Sequence, residues 1–103
     1  MSKKLPVITL GLAMTAFAGT ALAGGAELYA AKGCSACHGA DAKTPIAPNY
    51  PKLAGQNAAY LLEQAKDIKS GARNNGQTMV MKGIVGTVSD DDLKAIADWL
   101  ATQ

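Results

Sequence analysis

The sequence predicts an all-α fold. Three observations support this prediction: apolar residues recur at helical spacing in three segments, glycine- and proline-rich stretches separate these segments, and no pair of alternating apolar runs indicates a sheet. The chain has 103 residues, of which 49% are hydrophobic and 17% are charged, as in one small globular domain. These values exclude a multidomain enzyme, a repeat array, a disordered tail and a disulfide-rich scaffold.

The first 23 residues have the features of a secretory signal peptide. Lys3 and Lys4 form a short positive head, residues 5–18 are mostly apolar, and Ala21–Ala23 is a small-x-small cleavage signal. The segment is also short for a membrane span and contains proline and glycine. We therefore expect cleavage after Ala23, export to the periplasm, and no stable membrane insertion of residues 24–103.

The expected domain, residues 24–103, has a balanced charge. It contains eight basic and eight acidic residues, because Lys3 and Lys4 leave with the signal peptide. A neutral domain gives no electrostatic reason to expect a nucleic-acid partner. It is also small, and a hydrophobic core of this size is only marginally stable unless a cofactor or a covalent cross-link stabilises it further.

The first helix of this domain is expected over residues 25–32. Ala26, Tyr29 and Ala30 are spaced so that they share one helical face, and Gly33 follows as a stop signal.

A proline-rich loop and then a second helix are expected next. Residues 41–56 contain three prolines, which exclude a regular helix or a central strand. The second helix begins after Asn57, a good N-cap residue, and runs to Ser70, with Gly71 as its stop. Its apolar stripe consists of Leu61, Ala65 and Ile68.

Residues 72–88 are expected to form a second loop, because they contain three glycines and no other segment of the sequence could pair with them as a strand. The third helix follows, with Ser89 as N-cap and running to about Thr102. Asp90–Asp92 lie in its first turn, where the helix dipole favours negative charge. Its apolar face consists of Leu93, Ile96, Ala97 and Leu100.

The segment Cys34-Ser-Ala-Cys37-His38 is the motif that carries chemistry. Two thiols three positions apart on a turn of helix can add to the two vinyl groups of one haem, and the next residue then places an imidazole under the iron. A covalently attached haem c would also supply the additional stabilisation that this small core needs. The motif therefore predicts one haem on Cys34 and Cys37, with His38 as an axial ligand.

Three alternatives for this motif remain. A structural zinc site needs four ligands, and residues 24–103 contain only three cysteines and histidines. A thioredoxin-like redox pair expects a strand–helix–strand frame, which the sequence does not indicate. A structural disulfide is compatible with export. The last two leave unexplained why the single histidine of the chain follows Cys37 directly.

The sixth coordination position of the iron decides what such a protein does. A methionine sulfur there saturates the iron and raises its potential, which favours electron transfer over chemistry on small molecules. Met1 and Met14 leave with the signal peptide, so Met79 and Met81 are the remaining candidates. The residue pattern alone leaves both open, and a methionine in a loop can also simply fill a gap in a core.

The chain resembles the class I bacterial c-type cytochromes, and more narrowly the one-domain relatives of the di-haem periplasmic cytochromes. The likeness extends over essentially all of residues 24–103. It rests on the signal peptide, C-S-A-C-H-G at 34–39, A-P-N-Y-P-K-L-A-G-Q at 47–56, Y-L-L at 60–62, the Met79–Met81 segment and S-D-D-D-L at 89–93.

This resemblance implies a cytochrome c fold, with three main helices and long loops around one covalently attached haem. It implies that the first and last helices cross, which would bring Gly25 and Tyr29 against the region of Trp99. It favours Met81 over Met79 as the iron ligand. It also implies that a proline carbonyl accepts a hydrogen bond from His38, and it points to Pro48 for this role.

The resemblance further implies a periplasmic one-electron carrier between respiratory redox partners, not an enzyme, present as a monomer or weak dimer. Two other functions remain: a haem sensor of gas or peroxide with a vacant sixth position, and the haem subunit of a larger oxidoreductase. Several polar residues are candidates for the exposed haem edge or its carboxylates, although solvated loops explain them equally well. These residues are Lys32, Lys43, Lys52, Lys82, Tyr50, Arg73 and Asn74.

Overall fold

Five helices and the loops between them make up residues 24–103, which are the residues that this computed structural model describes. The expected signal peptide, residues 1–23, lies outside the described residues. The helices are α1 (Gly24–Ala31), α2 (Ser35–His38), α3 (Ala58–Ser70), α4 (Thr78–Val85) and α5 (Asp90–Ala101). Residues 24–103 contain no strand, so the prediction of an all-α fold is confirmed.

The ends of α3 and α5 are set by the local sequence. The Asn57 side chain accepts a hydrogen bond of 3.1 Å from the Tyr60 amide at the start of α3, and Gly71 ends this helix with a left-handed φ of 91°. Ser89 Oγ accepts a hydrogen bond of 3.1 Å from the Asp92 amide at the start of α5. Both helices therefore begin at the predicted caps.

The prediction of a loop over residues 72–88 is wrong in its centre, because α4 lies there. Gln77, at the N-cap position of α4, makes no side-chain capping bond, and two of the three glycines lie in or directly after the helix. Propensity and capping therefore do not explain this helix. Thr78 and Val85, at its two ends, are buried against the rest of the domain. Tertiary packing stabilises α4, as it does most short helices.

Helices α1 and α5 cross at Gly25, as the sequence resemblance implied. A Cβ atom at Gly25 would lie 2.5 Å from Trp99 Cβ and 2.6 Å from the Ala95 carbonyl oxygen, so a residue without a side chain is required here. The Tyr29 and Trp99 rings pack next to this contact with centroids 5.2 Å apart. This crossing fixes the N-terminal helix, and with it the segment that leads to Cys34.

The core lies between α3, α4 and α5, with Tyr29 of α1 on one side. Its buried apolar residues are Tyr29, Ala42, Ile68, Val85, Val88, Leu93, Ile96 and Leu100. The long loop before α3 is anchored to this core by backbone hydrogen bonds, from Leu53 to Ala42 at 2.9 Å and from Gly55 to Leu100 at 2.9 Å. Among the described residues, no helix is long and apolar enough to cross a membrane.

Replacement of Gly25 tests the helix crossing. Gly25→Ala should lower the unfolding free energy of the haem-loaded protein by about 1–3 kcal/mol, because the added methyl group forces α1 away from α5. Urea denaturation measures this change. Gly24→Ala is the matched control, since a Cβ atom there would lie 3.9 Å from Leu28 and meet nothing closer. Equal midpoints for the two variants would contradict the proposed close contact.

Candidate haem site

The Cys34–His38 motif lies on α2 and the turn before it. Gly33 turns the chain after α1 with φ at 85°, and the His38 amide donates to the Cys34 carbonyl at 3.0 Å. Cys34 and Cys37 are free thiols, not a disulfide, and both line the same cavity. Burial raises the pKa of the Cys34 thiol, so this thiol stays protonated in the unattached chain.

The cavity next to the motif has a volume of about 640 Å³, in the usual range for cofactor sites. Residues from α2, α3, α4, α5 and the proline-rich loop line it. Much of its inner wall consists of core residues: Ile68, Val85, Leu93, Ile96 and Leu100. An apolar cavity of this size, lined by both cysteines of the motif, fits a large and mostly apolar prosthetic group.

His38 supplies the clearest sign of what this cavity binds. Its imidazole is 4% exposed, and its Nδ1 atom lies 2.7 Å from the Pro51 carbonyl oxygen. A carbonyl only accepts hydrogen bonds, so in the neutral imidazole Nδ1 carries the proton and Nε2 carries a lone pair. Nε2 is buried and has no hydrogen-bond partner in the protein. A buried lone pair of this kind needs a partner, and an iron ion in the cavity supplies one.

The residue that orients His38 is Pro51, so the assignment of this role to Pro48 was wrong. Pro48 is exposed and lines a shallow surface depression together with Pro45 and Ile46. The Tyr50 amide donates to the Ala47 carbonyl at 3.1 Å, which closes a turn around Pro48. The chain therefore reaches the imidazole only after this turn, at the third proline of the loop.

The structure distinguishes between the two candidate methionines. Two residues apart on α4, they point to nearly opposite sides of the helix. Met81 is half-buried, packs against the core and lines the cavity. Met79 is 64% exposed and does not line it. Only Met81 thus shares the cavity with His38.

The exposed residues that line the cavity include two cations and several amides. Lys52 and Arg73 line it, and no acidic residue among residues 24–103 does so. Of the other candidates for this rim, Tyr50 lines the cavity, whereas Lys32, Lys43, Lys82 and Asn74 do not. Sequence reasoning missed five amide side chains that line the cavity: Asn49, Gln56, Gln64, Asn75 and Gln77. Cations and amides of this kind suit the two carboxylates of a haem.

Tyr29 fixes the chain directly after His38. Its hydroxyl donates a hydrogen bond of 2.6 Å to the Gly39 carbonyl, and its side chain is fully buried. Burial, and to a lesser extent the nearby Cys34 and Asp41, raise the pKa of Tyr29 to about 12. The phenol therefore stays protonated and keeps this hydrogen bond over the physiological pH range.

An all-helical domain with a C-x-x-C-H motif beside an apolar cavity is typical of proteins that bind haem covalently. A family model described as Cytochrome c matches residues 22–103, and the chain belongs to this family. It is a class I c-type cytochrome, and its cofactor is covalently bound haem c with its iron.

Several known proteins are similar to the chain. Cytochrome c4 of Pseudomonas aeruginosa is 49% identical over 98 residues, which are 94% of this chain and 45% of that protein. Cytochrome c-554(548) of Halomonas halodenitrificans is 39% identical, over 68% of this chain and 83% of that protein. The thiosulfate dehydrogenase electron acceptor of Stutzerimonas stutzeri is 43% identical, over 66% of this chain and 30% of that protein. The chain spans about half the length of the cytochrome c4 relatives that it matches.

The pKa of Tyr29 predicts a specific loss of stability at alkaline pH. Since the pKa is about 12 in the folded state and 10.0 without burial, the contribution of the phenol is complete below pH 10 and is lost as the pH rises towards 12. The difference in unfolding free energy between the parent and Tyr29→Phe should therefore change by up to about 1.4 kcal/mol per pH unit in this window. Denaturant titrations at a series of pH values measure it. A difference that is constant between pH 9 and 12 would contradict the argument.

Removal of both thiols tests whether the domain needs its haem to fold. Cys34→Ser combined with Cys37→Ser should give a mostly unfolded chain, because the core surrounds a cavity and is too small without the cofactor. Circular dichroism and thermal melting measure this, with Ser35→Ala as a control that keeps both thiols. A compact double variant with a cooperative transition would refute the expectation.

Proposed function

We propose that this protein is a periplasmic one-electron carrier with a single haem. Cys34 and Cys37 hold the haem, and His38 and Met81 are the axial ligands of its iron. One observation carries this proposal: the unpartnered Nε2 atom of His38 and the half-buried Met81 belong to the lining of one cavity. The two elements that supply them, α2 and α4, are far apart in sequence but line the same cavity.

The ligand set decides the type of chemistry. The haem supplies a one-electron couple at its iron when it is bound. His38 and Met81 would hold the iron through a nitrogen and a sulfur atom, which would leave no open position for a substrate. The protein is then not an enzyme, because its residues hold the iron and exclude water from it without transforming a substrate.

The protein also tunes the strength of its nitrogen ligand. The Pro51 carbonyl keeps the proton on Nδ1, and a hydrogen bond at this position makes Nε2 a stronger donor. The same hydrogen bond prevents rotation of the ring. A fixed imidazole in an apolar cavity changes little between the two oxidation states, which suits rapid electron exchange.

The electron would enter and leave at the mouth of the cavity. Large apolar side chains are exposed there on two elements, with Tyr60 on α3 and Val80 on α4, both of which line the cavity. Met79 is exposed beside Val80. An apolar contact face with the cations Lys52 and Arg73 suits a redox protein as donor or acceptor. A monomer or weak dimer is compatible with such transient contacts.

Visible spectroscopy with two methionine variants tests the ligand assignment. The oxidised parent should show the weak red sulfur-to-iron band, and carbon monoxide should not change the reduced spectrum. Met81→Ala should abolish the band, lower the potential and let carbon monoxide bind the reduced iron, because the sixth position is then open.

Met79→Ala is the matched control, since Met79 is a neighbouring and exposed thioether on the same helix. It should keep the parent spectrum and potential. The opposite pattern in the two variants would transfer the ligand role to Met79. A parent protein that binds carbon monoxide would favour a gas-binding sensor instead of a carrier.

A further inference from the structure

We propose that Lys69 is a positioning residue, which holds the segment that carries Met81 against α3. This segment, residues 72–88, is called the ligand segment below. The proposal rests on the proposed function, because it concerns the residue that is assigned there as the sulfur ligand. It goes beyond that function, because Lys69 does not line the cavity.

The Lys69 ammonium group joins the end of α3 to the end of the ligand segment. Its Nζ atom donates a hydrogen bond of 2.6 Å to the Val88 carbonyl oxygen and lies 3.3 Å from Asp90 Oδ1. Val88 is 2% exposed, whereas the Lys69 side chain is 30% exposed. The lysine thus reaches from the surface to the backbone of a buried residue.

Of these two contacts, the hydrogen bond to Val88 is the important one. The Asp90 side chain is 59% exposed, so water screens its interaction with Lys69 and the ion pair contributes little. If the ammonium group is lost, no other donor easily takes its place at the carbonyl of a buried residue. A hydrogen bond from a charged donor is also stronger than one from a neutral donor. Loss of the ammonium group therefore weakens the attachment of the ligand segment at this end.

The other end of the ligand segment is also attached to α3. The Arg73 amide donates to the Asp67 carbonyl at 3.0 Å, and its guanidinium donates to Gln64 Oε1 at 3.2 Å. Helix α3 therefore holds residues 72–88 at both ends, and Met81 lies between these two attachments. The first attachment depends partly on the main chain, but the second depends on the Lys69 side chain.

The ligand segment needs these attachments because its own structure is weak. Its helix, α4, has only eight residues and lacks a side-chain cap at its start. A helix of this length is not stable by itself in water. The position of the Met81 sulfur is consequently set by contacts at the ends of the segment, together with the burial of Thr78 and Val85.

Imidazole competition in the oxidised haem protein tests the proposal. Imidazole displaces the sulfur ligand, so its affinity rises when the ligand segment is held less firmly. Lys69→Met keeps the apolar stem and removes the ammonium group, and imidazole should then bind about tenfold more tightly. Lys69→Arg keeps the cation and should restore part of the parent behaviour.

Lys66→Met is the matched control, because Lys66 is an exposed lysine on the same helix, three residues earlier, and does not line the cavity. Its imidazole affinity should equal that of the parent. Asp90→Asn should also have little effect, since it leaves the hydrogen bond to Val88 in place. Urea unfolding, followed by circular dichroism, reports the global stability of each variant separately.

A lower urea midpoint for Lys69→Met with an unchanged imidazole affinity would overturn the proposal, because a purely structural lysine gives this result. An effect of Asp90→Asn as large as that of Lys69→Met would also overturn it. If Lys69→Met does not fold, Lys69→Gln is measured in its place with the same expectation. Absence of the red sulfur-to-iron band in the parent protein would instead refute the Met81 ligation on which the proposal rests.

Discussion

The hydrogen bond between His38 Nδ1 and the Pro51 carbonyl is the contact on which the site depends. It fixes the imidazole tautomer, so that the buried Nε2 atom presents a lone pair without any protein partner. It also ties the proline-rich loop to α2, and backbone bonds from that loop to Ala42 and Leu100 secure its path. One interaction therefore sets both the chemistry of the proposed iron ligand and the position of a cavity wall.

The core and the cofactor cavity of this domain share their residues. Ile68, Val85, Leu93, Ile96 and Leu100 belong to both, so the apolar side chains that stabilise the helices also line the cavity proposed for the haem. A domain of this size has little other apolar surface to bury. Folding and haem retention thus depend on the same packing. Because loss of the haem would also weaken the core, a covalent attachment through Cys34 and Cys37 suits this domain. The ligand segment is the weakest part of this arrangement, since it relies on α3 for its position.

The parts of the fold that follow from local signals could be predicted from the sequence. Asn57 and Ser89 cap their helices as expected, and Gly71 ends α3, because capping depends only on residues within one turn. Helix α4 could not be predicted in this way. Its glycines and its uncapped start argue against a helix, and long-range contacts stabilise it, among them the burial of Thr78 and Val85 against distant residues.

The sequence by itself determined the cofactor and limited the candidates for its ligands. Two cysteines three positions apart, followed by the single histidine of the chain, predict covalent haem attachment, because one turn of helix preserves this spacing. Only the tertiary structure decided that Met81, and not Met79, shares the cavity with His38, and that Pro51, and not Pro48, orients the imidazole. The physical reason is that both choices depend on the path of a loop and the rotation of a short helix. Long-range packing sets these two features, and residue spacing does not encode them.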